Sequence, residues 1–351
     1  IFRKDIFNIK PATLEPEAET AEDEVRNPPS DTRPVYVIGD NALTCYLAAK
    51  LTDAGHDVIV IAGKENNLSF STNGISLKED SSLKLSRYKF NTSFWIKEEP
   101  KLVIIAADAG HVNASLAAVA KDKIGAAPVL CFTPLKDVNY IEAMVGGNLF
   151  RAFFDGYLQQ NGQQDFSLRP HAAGKNLQKR QLGEGKTPFP DNFAYTGLNV
   201  GYETDTVRCY WEFFAPYAVG SLLSALNNKN LFDITKDKQL RDQIPRLIAE
   251  TAAIAAGEGL ELDCEPLVKK LYAAPMNYRF PLQDEINGGG YGEANLISSV
   301  LMNAARSAKI RFMDSSLNKI LKQIYNLILD KSALQVEEKE ETDYEKSKLT
   351  Q

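Results

Sequence analysis

Four short apolar runs constrain this chain more than any other feature. They are Val35-Tyr36-Val37-Ile38, Val58-Ile59-Val60-Ile61, Leu102-Val103-Ile104-Ile105 and Val129-Leu130-Cys131-Phe132, all between residues 34 and 154. A strand with one wet face alternates apolar and polar residues; these runs do not, so they read as parallel strands covered on both faces. Helical stretches at 42–54, 112–123 and 138–145 supply the crossovers that parallel pairing requires. The expected fold is α/β: an N-terminal Rossmann-type, doubly wound parallel sheet. From about Tyr210 the strand runs stop, and amphipathic segments at roughly 209–227, 237–258, 264–274, 293–308 and 314–329 predict an all-helical C-terminal domain. The chain thus divides into an acidic flexible arm (1–33), the Rossmann-type domain with a loop-rich bridge (34–208), a helical substrate and dimerisation domain (209–330) and a charged tail (331–351).

Charge narrows the function classes. The chain has 40 Lys+Arg against 46 Asp+Glu, a net charge of -6, which argues against a broad electrostatic grip on nucleic acid. The short basic stretch Lys175, Lys179, Arg180 and Lys186 reads as a solvated loop or, at most, a local phosphate contact. No apolar run approaches the ~18 residues a membrane span needs. The four cysteines, Cys45, Cys131, Cys209 and Cys264, form no Cys-x-x-Cys pair and sit in apolar stretches. Buried free thiols in a reducing compartment are expected: the cytoplasm, or an organelle matrix if a targeting segment precedes Ile1. Three histidines without a carboxylate or cysteine at ligand spacing predict no metal site. The arm from Pro11 to Arg33 carries Glu15, Glu17, Glu19, Glu22, Asp23 and Glu24, too little apolar material to offset the entropy of ordering. Ile1–Ile9 is more apolar and suited to docking on a partner protein or on the body of the chain.

The first run leads into Ile38-Gly39-Asp40-Asn41-Ala42-Leu43-Thr44. A dinucleotide-binding turn reads G-x-G-x-x-G: the first Gly makes the turn, the second admits the pyrophosphate, and the third lets helix and strand approach. Only Gly39 matches; Asn41 takes the second place, where it is expected to tolerate a positive φ, and Thr44 the third, where its bulk is expected to separate helix from strand. The helix N-terminus at Ala42 and Leu43 still offers amides and a dipole to a phosphate. Ala107, past the third run, would face the same cofactor. Lys64, after the second run, stands where a basic residue favours the 2′-phosphate of NADP, so NADP is the expected cofactor.

Three stretches in order resemble the ketopantoate reductases: Pro34 to Lys64 with its Ala54-Gly55-His56-Asp57-Val58; Tyr210-Trp211-Glu212-Phe213-Phe214; and Leu282-Gln283-Asp284 followed by Glu293-Ala294-Asn295-Leu296-Ile297-Ser298 and the closing helix. The resemblance spans about residues 34–328. It implies a Rossmann domain, a helical domain like that of the 6-phosphogluconate dehydrogenase group, a homodimer paired through the helical domain, and NADPH-dependent reduction of the ketone of a 2-oxo acid. It also marks departures. Phe213 stands at the family's catalytic lysine, Tyr217 and Ser221 at its two asparagines, Asp108 at a further lysine, Phe132-Thr133-Pro134 at a His-Asn-Gly, and Arg279-Phe280 at its serines. Glu293 matches the glutamate that holds substrate hydroxyls, displaced by one residue.

A lysine serves such a reaction because the carbonyl oxygen gains negative charge as hydride arrives. Phe213 supplies neither charge nor proton. The remaining catalytic candidates are Glu293, Tyr217, one helical turn past Phe213 on the same face, and Arg279, whose guanidinium can clamp a carboxylate. The residues therefore support two readings: a divergent NADP-dependent 2-oxo acid reductase, or an inactive scaffold that keeps the fold and uses its arms to bind partners.

Overall fold

The computed structural model describes residues 31–79, 85–106, 121–132, 139–145, 149–154, 156–160, 165–170, 175–178, 201–203, 205–273, 278–287 and 290–349. The flexible-arm reading for residues 1–30, the phosphate-contact reading for residues 179–186, and Ala107, Asp108, Thr133 and Pro134 lie outside these residues.

The four apolar runs are strands: β1 (Val35–Ile38), β2 (Val58–Ile61), β6 (Leu102–Ala106) and β7 (Val129–Phe132). Together with β5 (Asn91–Ser93) and β8 (Leu149–Phe153) they form a parallel sheet in the order β5-β2-β1-β6-β7-β8. Every residue of β1, β6, β7 and β8 is buried, as two-sided coverage demands. Alternate residues feed two cores: Val35, Val37, Leu102 and Ile104 on one face, Tyr36, Ile38, Val103 and Ile105 on the other.

The bridge folds into strands as well as loops. β11 (Lys175–Gln178) pairs antiparallel with β8, and β12 (Gly201–Glu203) extends the sheet to eight strands. The basic stretch therefore begins in a sheet strand and not in a loop. A second, four-stranded sheet of β3 (Ile75–Glu79), β4 (Leu85–Tyr88), β9 (Gly156–Gln160) and β10 (Asp165–Pro170) was not expected. Its strands are polar on one side and short, so no continuous apolar run announces them. Helix α1 (Ala42–Asp53) packs on β1, β2 and β6 and also touches β9. α2 (Lys64–Thr72) lies on β5; α3 (Lys121–Ile124) and α4 (Asn139–Val145) follow β6 and β7.

The second half is helical. α5 (Thr206–Asn227) is its central element, opened by the Asp205 cap and closed by Asn228 in the left-handed region. Around it pack α6 (Leu231–Lys236), α8 (Gln243–Ala255), α9 (Cys264–Tyr272), α10 (Pro281–Asn287) and α12 (Ser316–Leu349); α7 (Lys238–Arg241) precedes α8 and α11 (Gly292–Ser307) packs against it. Trp211, Phe214, Leu222 and Leu223 are wholly buried in one core with residues from these helices. Phe153, at the end of β8, belongs to that core too, so the sheet and the helical half share packing. The stretch 331–349, expected as a separate tail, continues α12 without a break. Cys45, Cys131 and Cys209 are buried and Cys264 is half-buried; all four are free. Among the described residues no helix is long and apolar enough to cross a membrane, and no three metal-ligating side chains cluster.

Candidate active site

The turn after β1 keeps its backbone and changes its side chains. Gly39 has φ 142, a conformation that favours glycine, and a Cβ there would stand 2.3 Å from the Ala106 carbonyl and 2.4 Å from Thr44 Oγ1. The glycine is thus required by the turn itself. Asn41 does not adopt a positive φ: at φ -92, ψ 178 it is the extended N-cap of α1, and its Oδ1 accepts from the Thr44 amide at 3.0 Å. A side-chain oxygen satisfies one of the first-turn amides that a pyrophosphate would use. Thr44 bridges helix and sheet. Its hydroxyl donates to the Ala106 carbonyl on β6 at 2.8 Å and lies 3.1 Å from Asn41 Oδ1, tying α1 to the neighbouring strand. The Ala42 and Leu43 amides complete the first turn.

Lys64 is exposed and opens α2, past the end of β2. The sequence reading missed Asp40 beside it. Asp40 is half-buried, accepts from Asn66 Nδ2 at 3.3 Å through Oδ2, and approaches Gly63. Its position inside a glycine turn was the available signal.

On α5, Phe213 is half-buried. Its ring packs on Phe153 with centroids 5.1 Å apart and stacks on Tyr217 at 5.7 Å. Tyr217 and Glu293, candidates from distant parts of the sequence, are brought together: the Tyr217 hydroxyl donates to Glu293 Oε2 at 2.5 Å. Glu293 is buried, and its backbone amide donates to Glu285 Oε2 at 2.7 Å. Glu285 was not anticipated; it caps the start of α11 from the preceding helix, and a Cβ on Gly290 would strike its side chain at 2.5 Å. Phe280 packs edge-on to Tyr217 at 5.9 Å. Its neighbour Arg279 points elsewhere, exposed and ion-paired with Asp284 at 3.4 Å. Ser221 is buried with its hydroxyl unpartnered among the described residues. Gln283 is structural, receiving the Phe280 amide and donating to the Lys229 carbonyl.

Phe153, Phe154, Phe213 and Leu267 line a cavity of about 260 Å³, with Arg208 and Lys270 among its charged walls. Phe213 is the ring shared by this cavity and the Tyr217–Glu293 pair. In the sheet nearby, Arg151 is buried in β8 with its guanidinium about 5 Å from the Phe153 and Tyr210 rings. Burial drives the Tyr210 phenol well above its ordinary value and the Cys131 thiol to about 12, each opposed by the Arg151 charge, so neither ionises near neutrality.

Residues 35–133 match the sequence model of the family described as ketopantoate reductase PanE/ApbA. No curated protein matches the chain in sequence. Among solved structures, the PanE/ApbA family ketopantoate reductase of Ralstonia eutropha JMP134 is 17% identical with TM-score 0.70, covering 85% of this chain and 99% of its own. The ternary structure of D-mandelate dehydrogenase with NADH and anilino(oxo)acetate is 16% identical with TM-score 0.70 over the same shares. The dimeric ketopantoate reductase of Staphylococcus aureus is 13% identical with TM-score 0.66, covering 85% of this chain and 99% of its own. Residues 35–133 thus carry the sequence pattern of the ketopantoate reductases, and both halves of the chain are similar in fold to solved members of that family.

Proposed function

We propose that the protein is a nicotinamide-dependent reductase of a 2-oxo acid in which Tyr217, positioned by Glu293, replaces the missing lysine as proton donor. The observation that carries this reading is the 2.5 Å hydrogen bond from the Tyr217 hydroxyl to the buried Glu293 carboxylate, one turn from Phe213. The chain's residues fit a dinucleotide: the β1–α1 turn closes around Gly39, and the Ala42 and Leu43 amides remain as anion donors at the head of α1. When bound, a reduced nicotinamide supplies hydride to the substrate's carbonyl carbon. The electron pair of the C=O bond then moves to oxygen; Tyr217 turns its one phenolic proton from Glu293 to that oxygen, and Glu293, in its protonated form, passes a proton to the phenol oxygen and regains one from solvent. The Phe213 and Phe280 rings pack against the phenol. An apolar side chain at the lysine position favours a 2-oxo acid with an apolar substituent, as in the aromatic-acid complex of D-mandelate dehydrogenase.

The test is consumption of NADH or NADPH with a panel of 2-oxo acids. Turnover that falls at least a hundredfold in Tyr217→Phe supports the reading; dinucleotide binding with no turnover of any member refutes it. That second result belongs to the scaffold reading, which Phe213 favours by packing where a cation is needed. Pairing through the helical half, by analogy with the Staphylococcus aureus enzyme, predicts a dimer in sedimentation. Partner binding through the N-terminal arm predicts loss of a co-purifying protein when residues 1–33 are removed. Four free thiols suit a reducing compartment such as the cytoplasm.

A further inference from the structure

The turn after β1 holds a carboxylate where cofactor choice is made, granted the dinucleotide reading above. In dinucleotide sites the residue at the end of the second strand reaches the adenosine ribose: an acid accepts from its hydroxyls, a base receives a 2′-phosphate. Here that place, just past β2, holds Gly63, which has no side chain. A Cβ on Gly63 would stand 3.6 Å from Asp40 Oδ2. The Asp40 carboxylate therefore comes across from the end of β1 and lies in van der Waals contact with the place where a side chain on Gly63 would begin. Asn66 Nδ2, on the first turn of α2, holds it there at 3.3 Å.

We propose that Asp40 makes the site selective for NADH over NADPH, overriding the preference expected from Lys64. The ribose hydroxyls of NADH can donate to the carboxylate. A 2′-phosphate brings up to two negative charges against it. Lys64 is exposed, so its attraction is weakened by water and salt. Asp40 is half-buried and fixed by Asn66, so its repulsion acts at short range in a lower dielectric. Like charges about 4 Å apart at a protein surface correspond to about fivefold to several-hundredfold in affinity, so at least about tenfold discrimination is expected.

The experiment is calorimetric titration of the full chain with NADH and NADPH, repeated on Asp40→Asn and Lys64→Ala. NADH should bind at least about tenfold more tightly to the native chain. Asp40→Asn should bring the two affinities within about threefold by strengthening NADPH, and Lys64→Ala should alter their ratio less than about threefold. If Asp40→Asn melts early, Asp40→Ser removes the same charge and serves in its place. Equal or tighter binding of NADPH by the native chain, or an unchanged ratio in a folded Asp40 variant, overturns the assignment while leaving the dinucleotide reading intact. Failure of both nucleotides to bind the native chain overturns that reading and the assignment together.

Discussion

In the Rossmann-type half the candidate site is shaped by backbone, and the side chains around it bond within the protein. In the helical half the candidate site rests on two side chains, Tyr217 and Glu293. At the first place Gly39 still makes the turn, yet Asn41 and Thr44 spend their polar groups on α1 and β6. At the second, the Trp211, Phe214 and Leu222 face of α5 is wholly buried, while Phe213 packs half-buried between Phe153 and Tyr217. The difference shows how the two kinds of site tolerate change. A phosphate site made of backbone amides survives side-chain replacement in weakened form. A site whose chemistry is carried by side chains loses it in a single substitution.

This contrast can be broken or sharpened by substitution. The largest effect is expected from Trp211→Ala: the ring is fully buried and its Nε1 donates to Glu258 at 3.0 Å, so about 3–5 kcal/mol of stability should be lost, seen as a denaturant midpoint shift. Gly39→Ala should cost about 3 kcal/mol, because the added Cβ meets a backbone carbonyl at 2.3 Å in a conformation that disfavours any side chain. If Gly39→Ala proves neutral, the turn is not what preserves the glycine. Tyr217→Phe should cost about 1 kcal/mol in stability, small beside its proposed effect on turnover.

Acid should act on the Rossmann-type half. His56 is buried, neither ring nitrogen has a hydrogen-bond partner among the described residues, and burial, reinforced by the Lys101 charge, lowers it from 6.5 to about 4. Between those pH values the unfolded chain binds a proton that the folded chain refuses. Stability should therefore fall as pH drops from 6.5 to 4, by on the order of 1–2 kcal/mol, and His56→Phe should flatten the slope. The smallest effect on stability is expected from Asn41→Gly, a few tenths of a kcal/mol, since Gly is itself an acceptable cap. The same change frees the Thr44 amide and should tighten dinucleotide binding, which titration would show.

The sequence made the parallel sheet legible because two-sided burial writes itself as unbroken apolar runs such as Leu102–Ile105. It also made α5 and the last helices legible through their periodicity. The second sheet was not legible, since strands such as Leu85–Tyr88 alternate between exposed and half-buried residues. Of the site, Tyr217 and Glu293 were named separately, and only folding brings them within 2.5 Å. Asn41 was read as a lax backbone position when its side chain is the cap, a distinction that one residue type serves equally well. Asp40, Asn66 and Glu285 were missed because their roles come from contacts across elements that spacing along the chain does not report.

The Tyr217–Glu293 pair is proposed to supply the proton that the reduced carbonyl oxygen needs. Its most direct test is a single-turnover measurement of reduced nicotinamide oxidation by the purified protein with an aromatic 2-oxo acid, native against Tyr217→Phe. The account predicts turnover by the native chain and a loss of at least about a hundredfold in the variant, with dinucleotide affinity unchanged. Equal rates in the two proteins, or saturating dinucleotide with no oxidation in either, would contradict it.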